Sequence, residues 1–219
     1  MQEYLRGCFS KWGLPKSIRV DNGKPLGDPQ RKRIPELALW LIGLDIQVIF
    51  NRPRRPTDNA KVERMQQTTK NWADIKNCFD SIELQKQLDN AIVNQRTYFK
   101  VRRLGRKTRL EVFPQIISNP RIFFNNTKYE KHIFDIQKVY QALAKWQFIR
   151  LINKAGQFSL YRQVYYLDYK LAKSYIIIRL NLEKLKWDIT DTNGKRLKSI
   201  KLKNFELDNI LNLRICQRT

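Results

Sequence analysis

A chain of 219 residues can hold one large domain or two small ones, and its 42% hydrophobic and 11% aromatic content argues against a disordered chain. Lysine and arginine number 43 against 20 acidic residues. The resulting net charge of +23 favours a polyanionic partner, usually nucleic acid, over a merely well-solvated or ribosome-associated basic protein.

Membrane and zinc-binding classes are disfavoured. No apolar run approaches the roughly 20 residues that span a bilayer, and the N-terminus lacks the apolar region of a signal peptide. We therefore expect no membrane partner and a cytoplasmic location. Cys8, Cys78 and Cys216 are too widely spaced for a disulfide framework or a zinc site, and His132 is the only histidine.

The first half of the chain alternates predicted strands and helices. In order they are a helix over 1–12, a strand over 17–20, a helix over 35–44, a strand over 46–50, a helix from 58 to 79 or beyond, and a helix over 82–98. This alternation predicts an α/β layer with parallel strands. Ligands of such layers bind beyond the carboxyl ends of the strands, and Asp21 follows such an end.

The second half changes character after a basic loop from Lys100 to Arg109. Residues 115–145 are typical of an irregular connector with some helix. Five short strands are predicted after it, over 147–152, 163–167, 175–180, 186–190 and 196–202. Short strands at this spacing predict a small all-β barrel. Its aromatic side chains are expected in the core, although base stacking stays open for them: Tyr161, Tyr165, Tyr166, Tyr169 and Trp187.

Two acidic residues stand out in so basic a chain. Asp21 opens an Asp-Asn-Gly triplet, which on its own is typical of a β-turn. Glu63 lies in the string Pro-Thr-Asp-Asn-Ala-Lys-Val-Glu-Arg, in the first turns of a predicted helix, where the macrodipole favours negative charge. Gln66, Gln67 and Lys70 share its helix face. This face suits metal binding at one end and phosphate binding along the rest, while a solvated helix terminus remains the alternative.

These motifs resemble those of the DDE transposases and retroviral-type integrases, most closely the bacterial insertion-sequence transposases. The second family motif is similar to residues 13–23, the third to residues 52–70, and the closing segment to residues 104–113. The resemblance covers about residues 1–117 and implies a ribonuclease H-like core. The β-rich tail is similar in pattern to the small barrel that follows the core in Mu-type transposases.

The resemblance also implies the chemistry. Asp21 and Glu63 would be the second and third acidic ligands of paired Mg²⁺ or Mn²⁺ ions, and both would be catalytic in phosphodiester hydrolysis and strand transfer. The family's first aspartate lies upstream on the first strand, whereas here only Glu3 precedes Asp21, within a predicted helix. We therefore expect an incomplete core with an exposed strand edge, inactive alone unless the missing aspartate is supplied.

Basic residues flank the proposed carboxylates. Three lie in a proline-stiffened loop before Glu63, two on the helix that follows, and four in the second basic loop. As DNA-binding residues we predict Arg52, Arg54, Arg55, Arg64, Lys70, Arg102, Arg103, Arg106 and Lys107. Ordinary solvated surface charge is the alternative.

The predicted organisation is a partial catalytic core over 1–117, a connector over 118–145, a small β-barrel over 146–205 and a tail over 206–219. The hypothesis for function is the C-terminal part of a DDE transposase. It would act on transposon ends and target DNA as a homo-oligomer in the bacterial cytosol or nucleoid. The rival is a non-catalytic DNA- or RNA-binding module from a split or decayed transposase.

Overall fold

The computed structural model describes residues 1–28, 30, 32–117 and 121–213, apart from the side chains of residues 56 and 116. Cys216, parts of the predicted connector and tail, and residues 29 and 31 lie outside the described residues. The chain divides into two compact units. The first unit comprises Met1–Leu5, Lys16–Phe50 and Asn125–Thr219, and the second comprises Arg6–Pro15 and Asn51–Phe124.

The first unit contains the predicted strand–helix–strand motif. Strand β1 (Ser17–Val20) pairs in parallel with β2 (Gln47–Phe50), so that Val20 lies opposite Phe50. Helix α2 (Glu36–Gly43) joins the two strands and buries nearly every side chain, which explains its continuous apolar sequence. The parallel pair confirms the α/β prediction and is consistent with a ribonuclease H-like core.

Two helices cover α2 in the segment predicted as a connector. They are α6 (Thr127–Ile133) and α7 (Ile136–Ala144). Asp135 caps α7 by accepting hydrogen bonds from the backbone N–H groups of Gln137 and Lys138. The indole of Trp40 in α2 donates a 2.7 Å hydrogen bond to the buried carboxylate of Glu130 in α6. This part of the chain is therefore a packed layer.

The β-rich part of the first unit has six strands, one more than predicted. They are β3 (Phe148–Leu151), β4 (Gln157–Leu160), β5 (Gln163–Tyr166), β6 (Tyr175–Asn181), β7 (Lys186–Asp191) and β8 (Arg196–Lys201). An antiparallel sheet has the order β3-β6-β7-β8, and β4 pairs with β5 in a separate hairpin. Among the described residues these strands form an open sheet and a hairpin, and closure into a barrel is not observed.

The aromatic side chains of this part divide into two groups. Tyr161, Tyr165 and Trp187 are buried, which confirms the core interpretation for them. Tyr166 and Tyr169 are 52% and 63% exposed, so that interpretation is wrong for these two. Their positions on the strand and on the following turn place them on the solvent side of the hairpin.

The end of the described chain also packs into the first unit. Helix α8 (Leu207–Leu211) buries Ile210 and Leu211, although its sequence lies in the predicted tail. The Gln2 side chain donates to the carbonyl of Ile210 and accepts from the backbone N–H of Leu213. These two bonds fix the start of the chain to its last described residues.

The second unit consists of helices α3 (Ala60–Trp72), α4 (Ser81–Thr97) and α5 (Arg109–Val112). The prediction of one helix from 58 to 79 is wrong. The chain leaves the helix after Trp72 because Asp74 adopts a left-handed conformation with φ of 45°, which aspartate tolerates better than most residues. The prediction for α4 is confirmed to within one residue at each end.

Contacts between helices give the second unit its small core. The Gln95 amide of α4 donates to Thr69 Oγ1 of α3 at 2.8 Å, and the rings of Trp72 and Phe99 meet edge to face at 5.2 Å. Helix α1 (Gln2–Trp12) has residues in both units. Its bounds agree with the prediction, and along it Phe9 is buried whereas Cys8 and Trp12 are exposed.

The boundaries of the two units differ from those of the predicted modules, which are 1–117, 118–145, 146–205 and 206–219. The modules therefore stay a prediction. Among the described residues, no helix combines the length and the apolar character that crossing a bilayer requires.

Candidate active site

Asp21 lies in the first unit, directly after β1, with an exposed side chain. Its Oδ1 accepts a 3.0 Å hydrogen bond from the backbone N–H of Gly23, and Gly23 in turn accepts from Gly27. A Cβ on Gly27 would lie 2.5 Å from the Asp21 carbonyl oxygen, so only glycine fits there. The turn is therefore tightly packed, and it holds the Asp21 carboxylate at the carboxyl end of a strand.

Glu63 lies in the second unit, in the first turn of α3, and is also exposed. No residue of α3 is buried, so one face is accessible along the whole helix. Gln66, Gln67 and Lys70 lie on the Glu63 face as predicted, and all three are exposed. Lys70 is seven residues along, or roughly 10 Å along the helix axis.

The loop before Glu63 is held by two side-chain pairs. Asn51 donates to Asn59 at 2.6 Å, and the Arg52 guanidinium contacts Asp58 at 2.7 Å while its backbone N–H also donates to that carboxylate. The side chain of Asp58 is only 6% exposed. The hydrogen bond that Arg52 donates to Asp58, together with the negative charge of that carboxylate, raises the pKa of Arg52. This pairing fixes the loop that leads into α3.

Sequence reasoning missed this role of Asp58, and the available signal was an acidic residue six positions after an arginine. The pair also bears on the predicted role of Arg52 in DNA binding, because its guanidinium already forms an ion pair with Asp58. Arg54 and Arg55, at the middle of the loop, are exposed, as is Arg64 beside Glu63. The loop and the first turn of the helix therefore carry three exposed cations at sequence positions close to Glu63.

The second basic loop is closed by a single antiparallel bridge between Val101 and Lys107. Gly105 and Arg106 take left-handed conformations with φ of 65° and 58°, which turn the chain back on itself. The predicted DNA-binding residues on this loop are all exposed: Arg102, Arg103, Arg106 and Lys107.

Helix α5 anchors this loop to the rest of the second unit. Thr108 and Glu111 form a capping box, in which each side chain accepts a hydrogen bond from the other residue's backbone N–H. The bond from the Thr108 backbone is the main reason why the pKa of Glu111 is lowered. Arg109 donates to the carbonyl of Gln95 at 2.7 Å, near the end of α4. Arg109 therefore anchors the loop.

Glu63 and all nine predicted DNA-binding residues lie in the second unit, whereas Asp21 lies in the first. Within residues 1–28, 30, 32–117 and 121–213, no group of three or more His, Cys, Asp and Glu side chains forms a metal-binding cluster. The exposed carboxylate oxygens of Asp21 and Glu63 are nevertheless the donors that Mg²⁺ and Mn²⁺ prefer, so their chemistry fits a hard divalent ion.

Residues 44–97 match the family described as an integrase core domain. The matched segment runs from the C-cap of α2 through β2, the loop held by Asp58, and α3, and it ends with the last residue of α4. It contains Glu63, while Asp21 precedes it. The matched segment, about a quarter of the chain, is thus similar to the integrase/transposase catalytic core.

Proposed function

We propose that this chain serves DNA integration or transposition by metal-dependent phosphodiester hydrolysis and strand transfer, on a ribonuclease H-like core. One observation carries the proposal. The integrase-core segment coincides with the loop and helix that hold Glu63 exposed among arginines. A small barrel after the core stays a prediction from the resemblance, because the described residues there form an open sheet and a hairpin.

In this proposal Asp21 and Glu63 are catalytic metal ligands. Mg²⁺ or Mn²⁺ held by such carboxylates activates a water or a 3′-hydroxyl and stabilises the leaving oxygen. The resemblance calls for a third carboxylate, which we assign to no residue of this sequence. We therefore expect no strand transfer from these 219 residues alone.

The proposed partner is DNA, both transposon ends and target, with the chain acting as a homo-oligomer on it. Exposed Arg54, Arg55 and Arg64 would contact phosphates near Glu63, and Lys70 would do so two turns along α3. The second basic loop would add further phosphate contacts. The expected location in the bacterial cytosol or nucleoid stays a prediction.

Metal binding tests the role of the carboxylates without requiring turnover. Asp21→Asn and Glu63→Gln each remove a charged oxygen ligand, so each should weaken Mn²⁺ binding by about tenfold or more in isothermal titration calorimetry. Glu183→Gln is the matched control, because Glu183 is an exposed carboxylate in the turn between β6 and β7. Equal Mn²⁺ affinity in all four proteins would contradict the assignment.

A non-catalytic DNA- or RNA-binding module is the second candidate. The observation in its favour is that both basic loops are fixed by bonds that involve neither Asp21 nor Glu63. This candidate predicts unchanged Mn²⁺ binding in the carboxylate variants and DNA binding that requires no metal ion. A strand-transfer product that disappears in Asp21→Asn would instead support catalysis, and it would show that the expected inactivity is wrong.

A further inference from the structure

The first unit contains a large open groove that the proposed function does not use. Its volume is about 920 Å³, at the upper end of the range for ligand clefts. One wall is formed by Lys24, Asp28, Gln30, Lys32 and Arg33, and the other by β3, β4 and the turn after β4. Five cationic side chains line it: Lys24, Lys32, Arg33, Arg150 and Arg162. We name these walls and side chains the β3 groove.

The loop wall is held in shape by one carboxylate. Asp28 accepts hydrogen bonds from the backbone N–H groups of Gln30, Lys32 and Arg33, at 3.3, 2.9 and 3.1 Å. Asp28 is the one carboxylate among the side chains that line the groove in the described part of the chain. Because its hydrogen bonds go to the backbone, it orders the loop on which Lys32 and Arg33 are carried.

Arg150 of β3 ties the two walls together. Its guanidinium donates to the carbonyl oxygens of Ile149, Ser159 and Lys32, at 2.8, 3.0 and 3.3 Å. Burial is the main reason why the pKa of Arg150 is lowered. Carbonyl oxygens orient the guanidinium without cancelling its charge, so Arg150 contributes positive potential to the groove from a fixed position.

Arg162 is positioned by a strained two-residue turn between β4 and β5. Tyr161 and Arg162 have φ of 48° and 63°, values that L-residues rarely adopt. The buried Tyr161 holds this turn, because its hydroxyl donates to the carbonyl of Ile34 at 3.0 Å and its ring packs edge to face on Phe205. Arg162 thus lines the groove, and its guanidinium lies 3.4 Å from the carboxylate of Glu36, which is outside the groove lining.

The groove also exposes apolar and aromatic surface. Leu151 of β3 lies directly opposite Tyr175 of β6, and their exposed fractions are 52% and 57%. Ile149, two residues before Leu151 on the same face, is 55% exposed. All three side chains line the same recess as the five cations.

This combination selects one class of polyanion. A DNA duplex presents phosphates and sugars on its outside, and its stacked bases offer no face to a leucine or a tyrosine. A single strand presents phosphates together with unstacked bases, and proteins bind it with a basic groove and aromatic platforms. Cations beside exposed Tyr175 and Leu151 therefore fit a single strand better than a duplex.

We propose that the β3 groove binds a short single-stranded segment of nucleic acid, with phosphates on Lys24, Lys32 and Arg33 and a base on Tyr175 and Leu151. This site uses none of the residues assigned to metal or duplex DNA under the proposed function. An experiment that disproves single-strand binding in the groove would therefore leave the proposed function untouched, and the reverse also holds.

Fluorescence anisotropy on the full chain tests the proposal. The probes are a labelled twelve-nucleotide oligothymidylate, an oligouridylate of equal length and a twelve-base-pair duplex, each titrated at several salt concentrations. Lys24→Gln with Lys32→Gln removes two groove cations, and Tyr175→Leu removes the aromatic ring while keeping an apolar side chain. The matched control is Lys184→Gln with Lys203→Gln, since both lysines are exposed in the first unit outside the groove lining.

We expect the groove lysine variant to bind the single strands about tenfold more weakly. Its salt slope should fall by about 1.4, since each phosphate contact on a single strand contributes about 0.7. Tyr175→Leu should lose about fivefold or more in single-strand affinity, because stacking on an aromatic ring is lost while the phosphate contacts remain. Its salt slope and its duplex affinity should stay unchanged.

Three results would overturn the proposal. They are an equal loss in the control lysine variant, unchanged single-strand binding in Tyr175→Leu, and a loss of duplex affinity as large as the loss for single strands. Tighter binding of oligothymidylate than of oligouridylate, with the loss confined to the groove variants, identifies the ligand as DNA. The reverse order identifies RNA. Thermal melting of each variant confirms that the fold is retained.

Discussion

Gly43, the last residue of α2, contacts the ring of Phe134 so closely that a Cβ there would lie 2.1 Å from a ring carbon. The carbonyl of Gly43 also accepts a 2.8 Å hydrogen bond from the backbone N–H of Asp135, the cap of α7. Because Gly43 has no Cβ, helices α6 and α7 can pack closely against α2, the helix that joins β1 to β2. That helix in turn packs against β2, which pairs with β1, the strand directly before Asp21.

Replacing Gly43 by alanine tests this close approach. Because the Phe134 ring is buried and must shift, we expect Gly43→Ala to lower the free energy of unfolding by about 1–3 kcal/mol, the usual cost of overpacking. Urea denaturation followed by circular dichroism measures the change.

Gly7→Ala is the matched control, since Gly7 lies within α1 and a Cβ there would meet nothing within 4 Å. Alanine at that position should raise the free energy of unfolding by about 0.5–1 kcal/mol, because it favours the helix more than glycine does. The same sign for both variants would show that Phe134 does not limit the space at Gly43.

At this scale the sequence located Asp21 and Glu63 correctly at a strand end and a helix start, because turn and helix signals are local. Local signals did not predict that Asp58 and Asp28 each hold a loop in shape. Each depends on which groups a folded loop brings near its carboxylate: a guanidinium for Asp58, three backbone N–H groups for Asp28. Loop conformation sets those partners, and short-range residue patterns do not specify it.

Whole elements were predictable where periodicity and caps agree. The strands β1 and β2 and the helices α2 and α4 lie within one or two residues of their predicted bounds. Helix α3 ends early because Asp74 turns left-handed in a sequence without glycine or proline at that point. Strand β4 was missed since its turn to β5 consists of Tyr161 and Arg162, whereas such turns usually carry asparagine or glycine.

The short helix α5 makes a prediction about pH. The pKa of Glu111 is lowered below its ordinary value of 4.5, chiefly by the hydrogen bond from the Thr108 backbone, with smaller contributions from the Thr108 hydroxyl, Lys100 and Lys107. A lowered pKa in the folded state means that the ionised carboxylate adds stability above its ordinary pKa. This stability is lost as the pH falls through the lower, folded pKa.

Glu111→Gln should therefore be less stable than the native chain at neutral pH, and the difference should shrink below about pH 4.5. Urea unfolding of both proteins between pH 3 and 7 measures this difference. A gap that stays constant down to pH 3 would show that the charge of Glu111 contributes nothing to the capping box.

Across the whole molecule, both units carry basic surfaces of different character. The second unit presents arginines on two loops, and the first encloses its cations with aromatic and aliphatic side chains in the β3 groove. The strand spacing predicted the β-rich segment but could not show whether it closes, because barrel closure depends on hydrogen bonding between strands far apart in sequence. The groove could not be predicted for the same reason. Its walls are joined by a hydrogen bond from Arg150 to the carbonyl of Lys32, which lies 118 positions earlier in the sequence.

If the two surfaces bind different ligands, they should be separable by charge removal. Neutralising four arginines of the second unit, Arg54, Arg55, Arg103 and Arg106, by glutamine should remove about four duplex phosphate contacts. At about 0.9 per contact, the salt slope for duplex DNA should fall by about 3.6, while single-strand binding in the β3 groove keeps its affinity. Anisotropy titrations of both probes from 50 to 200 mM salt measure this.

The matched control removes four exposed lysines of the first unit that lie outside the groove lining: Lys184, Lys195, Lys201 and Lys203. It lowers the net charge of +23 by the same amount as the arginine variant does. Comparing the two variants therefore separates the effect of where the charges lie from the effect of the total charge. A duplex slope that falls equally in both variants would mean that DNA responds to the overall charge of the chain. A drop confined to the arginine variant would assign duplex binding to the two basic loops of the second unit, because localised phosphate contacts release counterions only where they form.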